Sequence, residues 1–506
     1  MKRKMHFFAS AAVFTLLFIV AQAGFAGGSS DKGKGGATGV LDTSKRVELT
    51  LYIIGNEPPK QAELYENFNR IALEKLNCTL KTIWLTWGEY RNKYPLIFSS
   101  GEAFDMAYAA TWLNFPIMAQ KGAFKQLDEL FPQYAPKNYA RQSATAKRQG
   151  SVGGHIYGIP TLQATYGVYG AIYRADLATA HGWDGKMETF EDMERYFEII
   201  KKNYPAMEPI QILSEGSNID DAWMMNRGFY HSKGGYNDFM FLDPSQANPK
   251  LFTYYEYDKI QEFLSMIVRW NERGYFPKSA LSDTDNEKVQ NGKAALRLHN
   301  IDTYDGIYRA RPDWDIRWCN FVKDVSHNAF TNDVLVIPST AKNPERALAL
   351  WELITNDEEA FRAFFYGVEG KSYELVKNGN KTSIRAINIT DYAFSNMWAA
   401  RTNEFYLPIA GAPADLQGYK DGYESRIKEG VGTEKFRSFN IDTSSIENEY
   451  AACLAVHQQY WWPLELAYVD VVKGLAEYQE KMKAAGIDKV KQVVQAQLDA
   501  YVASLK

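Results

Sequence analysis

Aromatic and acidic side chains follow three predicted strands at the points where those strands end. The stretches "GNEPP", "WLTWGE" and "AATWLN" contain Glu57, Trp87 and Trp112. Sugars expose C–H patches on their faces and hydroxyl groups at their rims, so flat rings combined with planar polar side chains bind them well. We take Trp87, Trp112 and Trp223 as stacking rings of such a site. For each single tryptophan, packing in the core stays open as the alternative.

Catalytic chemistry has little support in this sequence. We find no GxSxG, HExxH, GxGxxG or P-loop motif. Asp220 and Asp221 are adjacent carboxylates, but neighbouring side chains usually point apart, whereas glycoside hydrolysis needs two carboxylates facing one bond. This pair therefore predicts an N-cap for the helix that follows. A hydrolase whose carboxylates are distant in sequence stays open.

The sequence predicts no metal and no cofactor. In "SDTDNEK", Asp283, Asp285 and Glu287 alternate like the start of a calcium loop. However, Lys288 stands where that loop needs glycine and Ala294 where it needs glutamate, so a solvated helix start is predicted instead. The seven histidines form no i,i+4 ligand pair for zinc.

Charge and the N-terminal segment indicate an exported protein. A net charge of −4 argues against nucleic acid as a partner. Residues 1–26 have a basic start, an apolar run and then small residues, which predicts a signal peptide. An uncleaved anchor stays open. No lipobox cysteine follows the run, so we expect a periplasmic or secreted protein, with a flexible Gly/Ser-rich tether over 27–46.

The three cysteines do not form a disulfide framework. Cys78, Cys319 and Cys453 are widely spaced and contain no CxxC motif, which leaves only a single pair open.

Alternating strand and helix patterns predict an α/β protein. "VELTLYII" and "CTLKTIWL" read as strands, and each is followed by a helical pattern, which predicts a parallel sheet with crossover helices. Thr189, Gly274 and Pro344 stand at predicted helix ends. A chain of 506 residues exceeds a single core, so two or more lobes are expected.

Several motifs resemble a known family in their order along the chain. "GGHIYGIPTL" resembles the segment that runs between the lobes of extracellular solute-binding proteins of ABC importers. "GAFKQLDEL", "YRADL", "NGKAAL" and "IPSTAKNPERALALWELITND" match the same family in sequence order. "FFYGVEGKSYELV" and "AAGIDKVKQVVQAQLDAY" look like the lipoprotein-type carbohydrate-binding subgroup, which has a C-terminal extension.

The resemblance implies an α/β, two-lobed periplasmic-binding-protein fold with a hinge and an interlobe cleft. The first lobe would comprise residues 47–163 and 331–400, the second 164–330, and the C-terminal extension 401–506 would pack on the lobes. It implies a monomer that binds a saccharide without converting it covalently and delivers it to ABC permease subunits. A peptide-binding importer component, a sensor or adhesin, and a secreted glycoside-active enzyme stay open.

The resemblance also adds expected ligand-binding residues. Tyr166 and Tyr169 would face the cleft beside the hinge, although core packing stays open for both. His299 and Asn300 end the strand "AALRLHN" at the expected interlobe face, although a core histidine stays open for His299. Glu369 lies in "YGVEGKSY", for which a tight turn at Gly367 and Gly370 stays open as the alternative. The full set is Glu57, Trp87, Trp112, Tyr166, Tyr169, Trp223, Asn226, His299, Asn300, Glu369 and Trp398.

Overall fold

The computed structural model of the protein describes residues 41–214, 216–231, 239–411 and 414–505. The predicted signal peptide and most of the predicted tether lie outside these residues. The end of that tether is not free, because Asn77 Nδ2 donates to the Thr43 carbonyl over 2.9 Å and Arg346 donates to the Asp42 carbonyl. Here the structure differs from the prediction of a tether up to residue 46.

Among the described residues, the strands form two main sheets and three two-stranded sheets. The first sheet has the order β2-β1-β3-β12-β6 and the second has the order β10-β7-β11. The strands are β1 Val47–Ile54, β2 Cys78–Leu85, β3 Met106–Ala109, β4 Ser151–Val152, β5 His155–Ile156, β6 Gly158–Pro160, β7 Tyr169–Arg174, β8 Tyr230–His231, β9 Phe241–Leu242, β10 Leu296–Asn300, β11 Ile316–Asn320, β12 Val334–Val336, β13 Tyr373–Asn378 and β14 Lys381–Ala386.

Helices surround both sheets and make up most of the C-terminal part. They are α1 Gln61–Leu76, α2 Tyr90–Ser99, α3 Phe115–Gln120, α4 Leu130–Tyr134, α5 Pro136–Arg141, α6 Ala144–Gln149, α7 Ala175–Thr179, α8 Phe190–Asn203, α9 Ile219–Asn226, α10 Ile260–Glu272, α11 Ile301–Ala310, α12 Pro344–Asn356, α13 Glu358–Phe365, α14 Ala414–Glu424, α15 Glu447–Val456, α16 Trp462–Glu465, α17 Val471–Ala484 and α18 Ile487–Ser504. A π-helical turn, His457–Trp461, joins α15 to α16.

Local signals in the sequence set several helix ends. Thr189 caps α8 by accepting from the Asp192 amide, and the Asp192 carboxylate accepts from the Thr189 amide, both over 3.1 Å. Pro344 occupies the first turn of α12, where its missing N–H costs nothing. Gly274 follows α10 with a φ of +70°, a left-handed conformation that favours glycine.

The two sheets differ in strand direction. In the first, β1 runs parallel to β2 and β3, which confirms the parallel sheet expected from alternating strands and helices, while β12 is antiparallel to β3 and β6. In the second, β7 is antiparallel to both β10 and β11. Each sheet packs in its own apolar core, with Phe68 and Trp351 in one and Phe197 and Trp270 in the other. The α/β fold is therefore two-lobed.

Two chain segments cross between the lobes side by side. Gly167 N donates to the Ser326 carbonyl and Asn328 N donates to the Thr165 carbonyl, each over 2.8 Å. The outgoing crossing thus pairs with the returning one, as expected of a hinge. Just after the outgoing crossing, close approach explains the glycine in β7, because a Cβ on Gly170 would lie 2.0 Å from the Cys319 carbonyl oxygen.

The C-terminal part packs mainly on the second lobe. Phe405 and Leu407 still contact the first-lobe core. From α14 onward the chain joins the second lobe, where Trp461, Tyr478 and Leu498 are fully buried in the core that contains Trp270. The lobe boundaries themselves stay predictions.

Candidate functional site

Five rings of the first lobe form one contiguous group, called here the aromatic cluster: Trp87, Tyr90, Tyr108, Trp112 and Trp398. The rings of Trp87 and Trp398 stack with centroids 6.1 Å apart. Tyr90 contacts Trp87 and Trp112 edge-on at 5.6 and 6.0 Å, and Tyr108 contacts Trp112 and Trp398 at 5.9 and 5.6 Å. The two tyrosines are buried and the three tryptophans are half-exposed, so buried tyrosines support three accessible indole rings.

Strand direction brings these rings together. Trp87 follows β2 and Trp112 follows β3, and the carboxyl ends of parallel strands meet at one edge of a sheet. Trp112 is fixed by its Nε1, which donates to the Asn332 carbonyl over 3.1 Å. Trp398 arrives from far along the chain, on the single turn Trp398–Ala400.

Glu57 lies in the loop after β1, beside the loop that carries Trp87. The two loops are joined where the Trp87 amide donates to Asn56 Oδ1 over 3.4 Å. The Glu57 side chain is exposed, and partial desolvation raises the pKa of its carboxyl. This position suits an acceptor for hydroxyl groups at the rim of the aromatic cluster.

Polar side chains gather at one end of the second sheet, called here the polar edge: Tyr169, Asn226, His299 and Asn300. Asn300 pairs with Tyr169 in the sheet register. Asn226 Nδ2 donates to the Phe321 carbonyl over 3.0 Å, and the Phe321 amide donates to the Tyr169 carbonyl over 3.1 Å. All four side chains are half-buried.

Helix α11 accounts for the local conformation of two polar-edge residues. Asn300 is its N-cap, with Oδ1 accepting from the Thr303 amide over 3.0 Å. The Thr303 hydroxyl lies 2.6 Å from His299 Nδ1. Burial and the charge of Arg297 hold the pKa of His299 well below its usual value, so the ring is neutral and presents a donor and an acceptor.

An ion pair joins the aromatic cluster to the polar edge. Arg401 Nη1 lies 3.2 Å from the carboxylate of Asp302, two residues after Asn300 in the first turn of α11. The Arg401 guanidinium carbon lies 5.9 Å from the Trp398 ring. Burial would raise the pKa of Asp302, but Arg401 and Lys420 outweigh it and hold that pKa below its usual value.

Asp333 extends this link into the first lobe. Its Oδ1 accepts from the Tyr108 hydroxyl over 2.7 Å, and its charge acts on Arg401. Burial raises the pKa of Asp333. Arg401, Asp302 and Asp333 were not anticipated from the sequence, since no local motif marks them and Asp302 and Arg401 are far apart in the chain.

Sequence comparison identifies the class of protein that carries this arrangement. The family model described as "bacterial extracellular solute-binding protein" matches residues 55–361, more than half of the chain. This chain belongs to that family. A second model, described as a domain of unknown function, matches residues 435–503 of the C-terminal part.

Relatives from Streptococcus pneumoniae match the chain over nearly its full length. A protein named carbohydrate ABC transporter substrate-binding protein is 25% identical over 520 residues, 99% of each chain. The N-glycan transport solute-binding protein NgtS is similar in structure, with a TM-score of 0.77 in complexes with Man1GlcNAc and Man5GlcNAc. These complexes are 21% and 23% identical and cover 90% and 91% of this chain and 100% of theirs. The structural likeness confirms the two-lobed fold.

Two predicted site residues of this solute-binding protein lie elsewhere. Trp223 is 2% exposed in the second-lobe core, with Phe263 at 5.3 Å and the Arg227 guanidinium at 3.2 Å from its ring. Because both neighbours occupy its ring, Trp223 offers no face to a solute. Glu369 is exposed in a turn before β13, where it bridges to Tyr373, and the left-handed Gly370 beside it fits a tight turn.

Tyr166 lies on the outgoing crossing and contacts the C-terminal part. Its hydroxyl donates to Glu424 Oε2 over 3.1 Å, and its ring stacks on His327 with centroids 5.6 Å apart. This side chain belongs to the hinge, in contrast to Tyr169 at the polar edge.

The carboxylates considered for hydrolysis are buried. Asn218, not Asp220 or Asp221, precedes the first turn of α9, so the predicted N-cap is wrong. Asp220 Oδ2 accepts from Tyr254 and Trp461 over 2.8 and 2.7 Å, which places it within the second-lobe core.

The segment that resembles a calcium loop does not begin a helix. Its own Lys288 side chain supplies the positive charge that its carboxylates face. Lys288 is 5% exposed, its Nζ lies 2.7 Å from Glu208 Oε1, and it also pairs with Asp283. Across the part of the chain that the structure describes, no group of three or more His, Cys, Asp or Glu side chains could hold a metal ion. In that same part, the cysteines Cys78, Cys319 and Cys453 are buried and unpaired.

Proposed function

We propose that this protein is the substrate-binding component of a carbohydrate ABC importer and captures an oligosaccharide between the aromatic cluster and the polar edge. The observation that carries the proposal is the set of half-exposed rings of Trp87, Trp112 and Trp398, linked by Arg401 and Asp302 to the polar edge. Indole faces suit the C–H faces of pyranose rings, and amide, imidazole and carboxylate groups suit their hydroxyls.

The proposed contacts are a subset of the predicted residues, with the ion pair added. They are Glu57, Trp87, Trp112, Tyr169, Asn226, His299, Asn300, Trp398, Asp302 and Arg401. Trp223 and Glu369 are left out, and Tyr166 acts at the hinge. A solute that touches both lobes favours the closed form by its differential affinity for that form, which is how capture is coupled to delivery.

The relatives support the solute class and the transport role. One bears the name of a carbohydrate ABC transporter component, and NgtS has been crystallised with Man1GlcNAc and with Man5GlcNAc. We propose that the present protein binds without chemical conversion and passes its solute to membrane permease subunits. The basic, apolar and small-residue pattern of the N-terminus supports export to the periplasm or the medium. None of the helices among the described residues could cross a membrane.

Calorimetric titration of the mature protein with Man5GlcNAc, a fructo-oligosaccharide and a mixture of short peptides tests the proposal. At a hundredfold excess over Kd, a ligand should stabilise the native state by about 2.7 kcal/mol. Any compound that binds in the titration should therefore also raise the Tm. We expect at least one saccharide to bind and to be recovered unchanged by mass spectrometry. Binding of peptides alone would overturn the carbohydrate assignment, and release of shorter sugars would favour a hydrolase.

A further inference from the structure

The C-terminal part follows the hinge on the outside of its returning crossing. The Thr433 amide donates to Asp324 Oδ2 over 2.8 Å, and the Thr433 hydroxyl donates to the Asp324 carbonyl over 3.0 Å. Farther along, Arg437 Nε donates to the Asn328 carbonyl over 2.7 Å. The returning crossing is therefore held on one side by the outgoing crossing and on the other by residues 433–437.

His327 is the centre of this arrangement. Its Nε2 lies 2.9 Å from Glu424 Oε2 and its Nδ1 lies 3.2 Å from Glu434 Oε1. Its backbone amide also donates to Glu434 Oε2 over 2.7 Å. A neutral imidazole has one N–H donor, whereas an imidazolium has two, so only the charged ring satisfies both carboxylates.

Side chains from the outgoing crossing and from the C-terminal part surround His327. The outgoing crossing contributes Tyr166, which donates to the same Glu424 oxygen that faces the imidazole. The C-terminal part contributes Glu424, Glu434 and Arg437, and Arg437 Nη1 lies 3.2 Å from Glu434 Oε1. With His327 charged, two cations face two carboxylates, so the group carries no net charge.

The same stretch also reaches the first lobe. Gln149 Nε2, at the end of α6, donates to the Arg437 carbonyl over 3.2 Å and to Ser438 Oγ over 3.0 Å. Gln120 donates to Asp442 Oδ1 over 3.3 Å. Since α14 and the helices after it pack on the second lobe, residues 437–442 give the extension a further contact with the first lobe, beside the hinge.

We propose that the C-terminal extension is a brace for the hinge, and that the charge on His327 sets how freely the two lobes open. Glu424, Glu434 and Arg437 clamp the returning crossing at His327 and Asn328, so this crossing cannot bend without moving the extension. Loss of the imidazolium charge breaks one of the two carboxylate contacts and leaves a net negative charge at the clamp. The inference does not depend on which solute the cleft takes.

The direction of the pH effect follows from the environment of the ring. Burial lowers the pKa of His327, but hydrogen bonds to Glu434 and Glu424 outweigh it and raise that pKa above its usual value of 6.5. A raised histidine pKa contributes stability that is complete below the unfolded value and is lost as pH rises through the folded value. The brace is therefore complete in mildly acidic solution and weakens in mildly alkaline solution.

Pulsed electron spin resonance between labels on the two lobes tests the brace without a ligand. Glu74→Cys on α1 and Lys202→Cys on α8 supply exposed sites, while the native cysteines are at most 6% exposed and stay unlabelled. We expect the interlobe distances to lengthen and spread from about pH 6 to about pH 9. His327→Gln should show, at both pH values, the wide distribution of interlobe distances that the wild type shows only at the higher pH.

Two further variants complete the experiment. Glu424→Gln removes one carboxylate at a more exposed position, so this variant should fold even if His327→Gln does not. It should widen the distribution of interlobe distances. Lys489→Gln breaks an exposed pair with Glu449 in the extension, away from the hinge, and should match the wild type. Identical distributions in the wild type at both pH values, or in Glu424→Gln and the wild type at about pH 6, would overturn the brace.

Discussion

Trp87, Trp112 and Trp398 present half-exposed indole faces on a base of buried tyrosines. Apolar rings in this state keep unfavourable contact with water that a stacked sugar removes, whereas a fully buried ring such as Trp223 has nothing to gain from a ligand. Exposure together with ring–ring support therefore distinguishes the tryptophans that we propose as sugar-stacking residues from a core tryptophan. Residue type alone does not.

Substitution of Trp398 by alanine should weaken saccharide binding. The ring lies against Trp87, Tyr108 and the Arg401 guanidinium, so its loss removes a stacking face and loosens the interlobe ion pair. We expect Kd to rise about 10- to 100-fold, which corresponds to roughly 1.4–2.8 kcal/mol. Calorimetric titration with the saccharide that binds the wild type measures this change.

Trp314→Ala provides the matched control for that variant. Trp314 is also half-buried, but it stacks between the guanidinium groups of Arg174 and Arg311 in the second lobe. An unchanged Kd in Trp314→Ala is expected. If Trp398→Ala bound as tightly as the wild type, the aromatic cluster would not be the sugar-stacking surface.

Single residues could be predicted where a local rule applies. Trp87 and Trp112 were predicted because each directly follows a parallel strand, and such strand ends converge. Trp223 follows no strand and lies within a helix, and its burial could not be predicted because the packing of Phe263 against its ring depends on tertiary structure. Arg401 and Asp302 were missed because they are far apart in the sequence, and only folding brings the two charges together.

At the scale of elements, the π-helical turn His457–Trp461 and the first turn of α9 bury a carboxyl pair. Asp220 accepts from Tyr254 and Trp461, and Glu465 accepts from the Ser217 amide over 3.0 Å. Burial raises the pKa of both carboxyls, and that of Glu465 lies well above its usual value. We therefore expect Glu465 to keep its proton where the extension joins the second lobe.

Glu465→Gln should make the thermal stability less sensitive to pH. A carboxyl whose folded pKa is raised contributes stability below its unfolded value, and that contribution is lost as pH rises through the folded value. Glutamine keeps a donor toward Asp220 without needing the proton. We expect the Tm of the variant to exceed that of the wild type at about pH 8 and to approach it at about pH 5.

Differential scanning calorimetry of both proteins across this range measures the effect. The neighbouring groups are Asp221, His231 and His457; burial lowers the pKa of His457 to about 3, so it stays neutral throughout. His327 also loses charge as pH rises, but it does so in both proteins. An exposed carboxyl of α17 gives the control Glu477→Gln, which should follow the wild type. A Tm difference that does not change with pH would contradict the retained proton.

The positions of helices and strands were easier to predict from the sequence than the relative directions of the strands. The helical and strand patterns of the first lobe predict a parallel sheet because a helix lies between consecutive strands, and such a crossover returns the chain in the same direction. In the second sheet β7 is antiparallel to β10 and β11, and the long excursion between β7 and β10 hides that direction, because periodicity carries no information on the direction of return. The same limit applies to the C-terminal part, whose helices predict no partner.

At the scale of the whole molecule, the C-terminal extension completes a core instead of covering one. Trp461, Tyr478, Met482 and Leu498 are fully buried in the same cluster as Trp270 of α10. Burial of four such side chains contributes about 6–12 kcal/mol. This is comparable with the whole net stability of a folded domain, about 5–15 kcal/mol. The second lobe without its extension would therefore expose a large apolar face.

A chain that ends at Glu434 should consequently fail to fold cooperatively. It keeps both carboxylates that face His327 but loses residues 435–506, so any remaining structure in the second lobe would expose the contact surface of Trp270. We expect no cooperative transition in circular dichroism and aggregation on size-exclusion chromatography. A chain shortened only by Leu505 and Lys506 should melt like the full chain, because Leu505 is 48% exposed. A cooperative, saccharide-binding truncation would instead mean that the two lobes fold alone and that the extension acts only at the hinge.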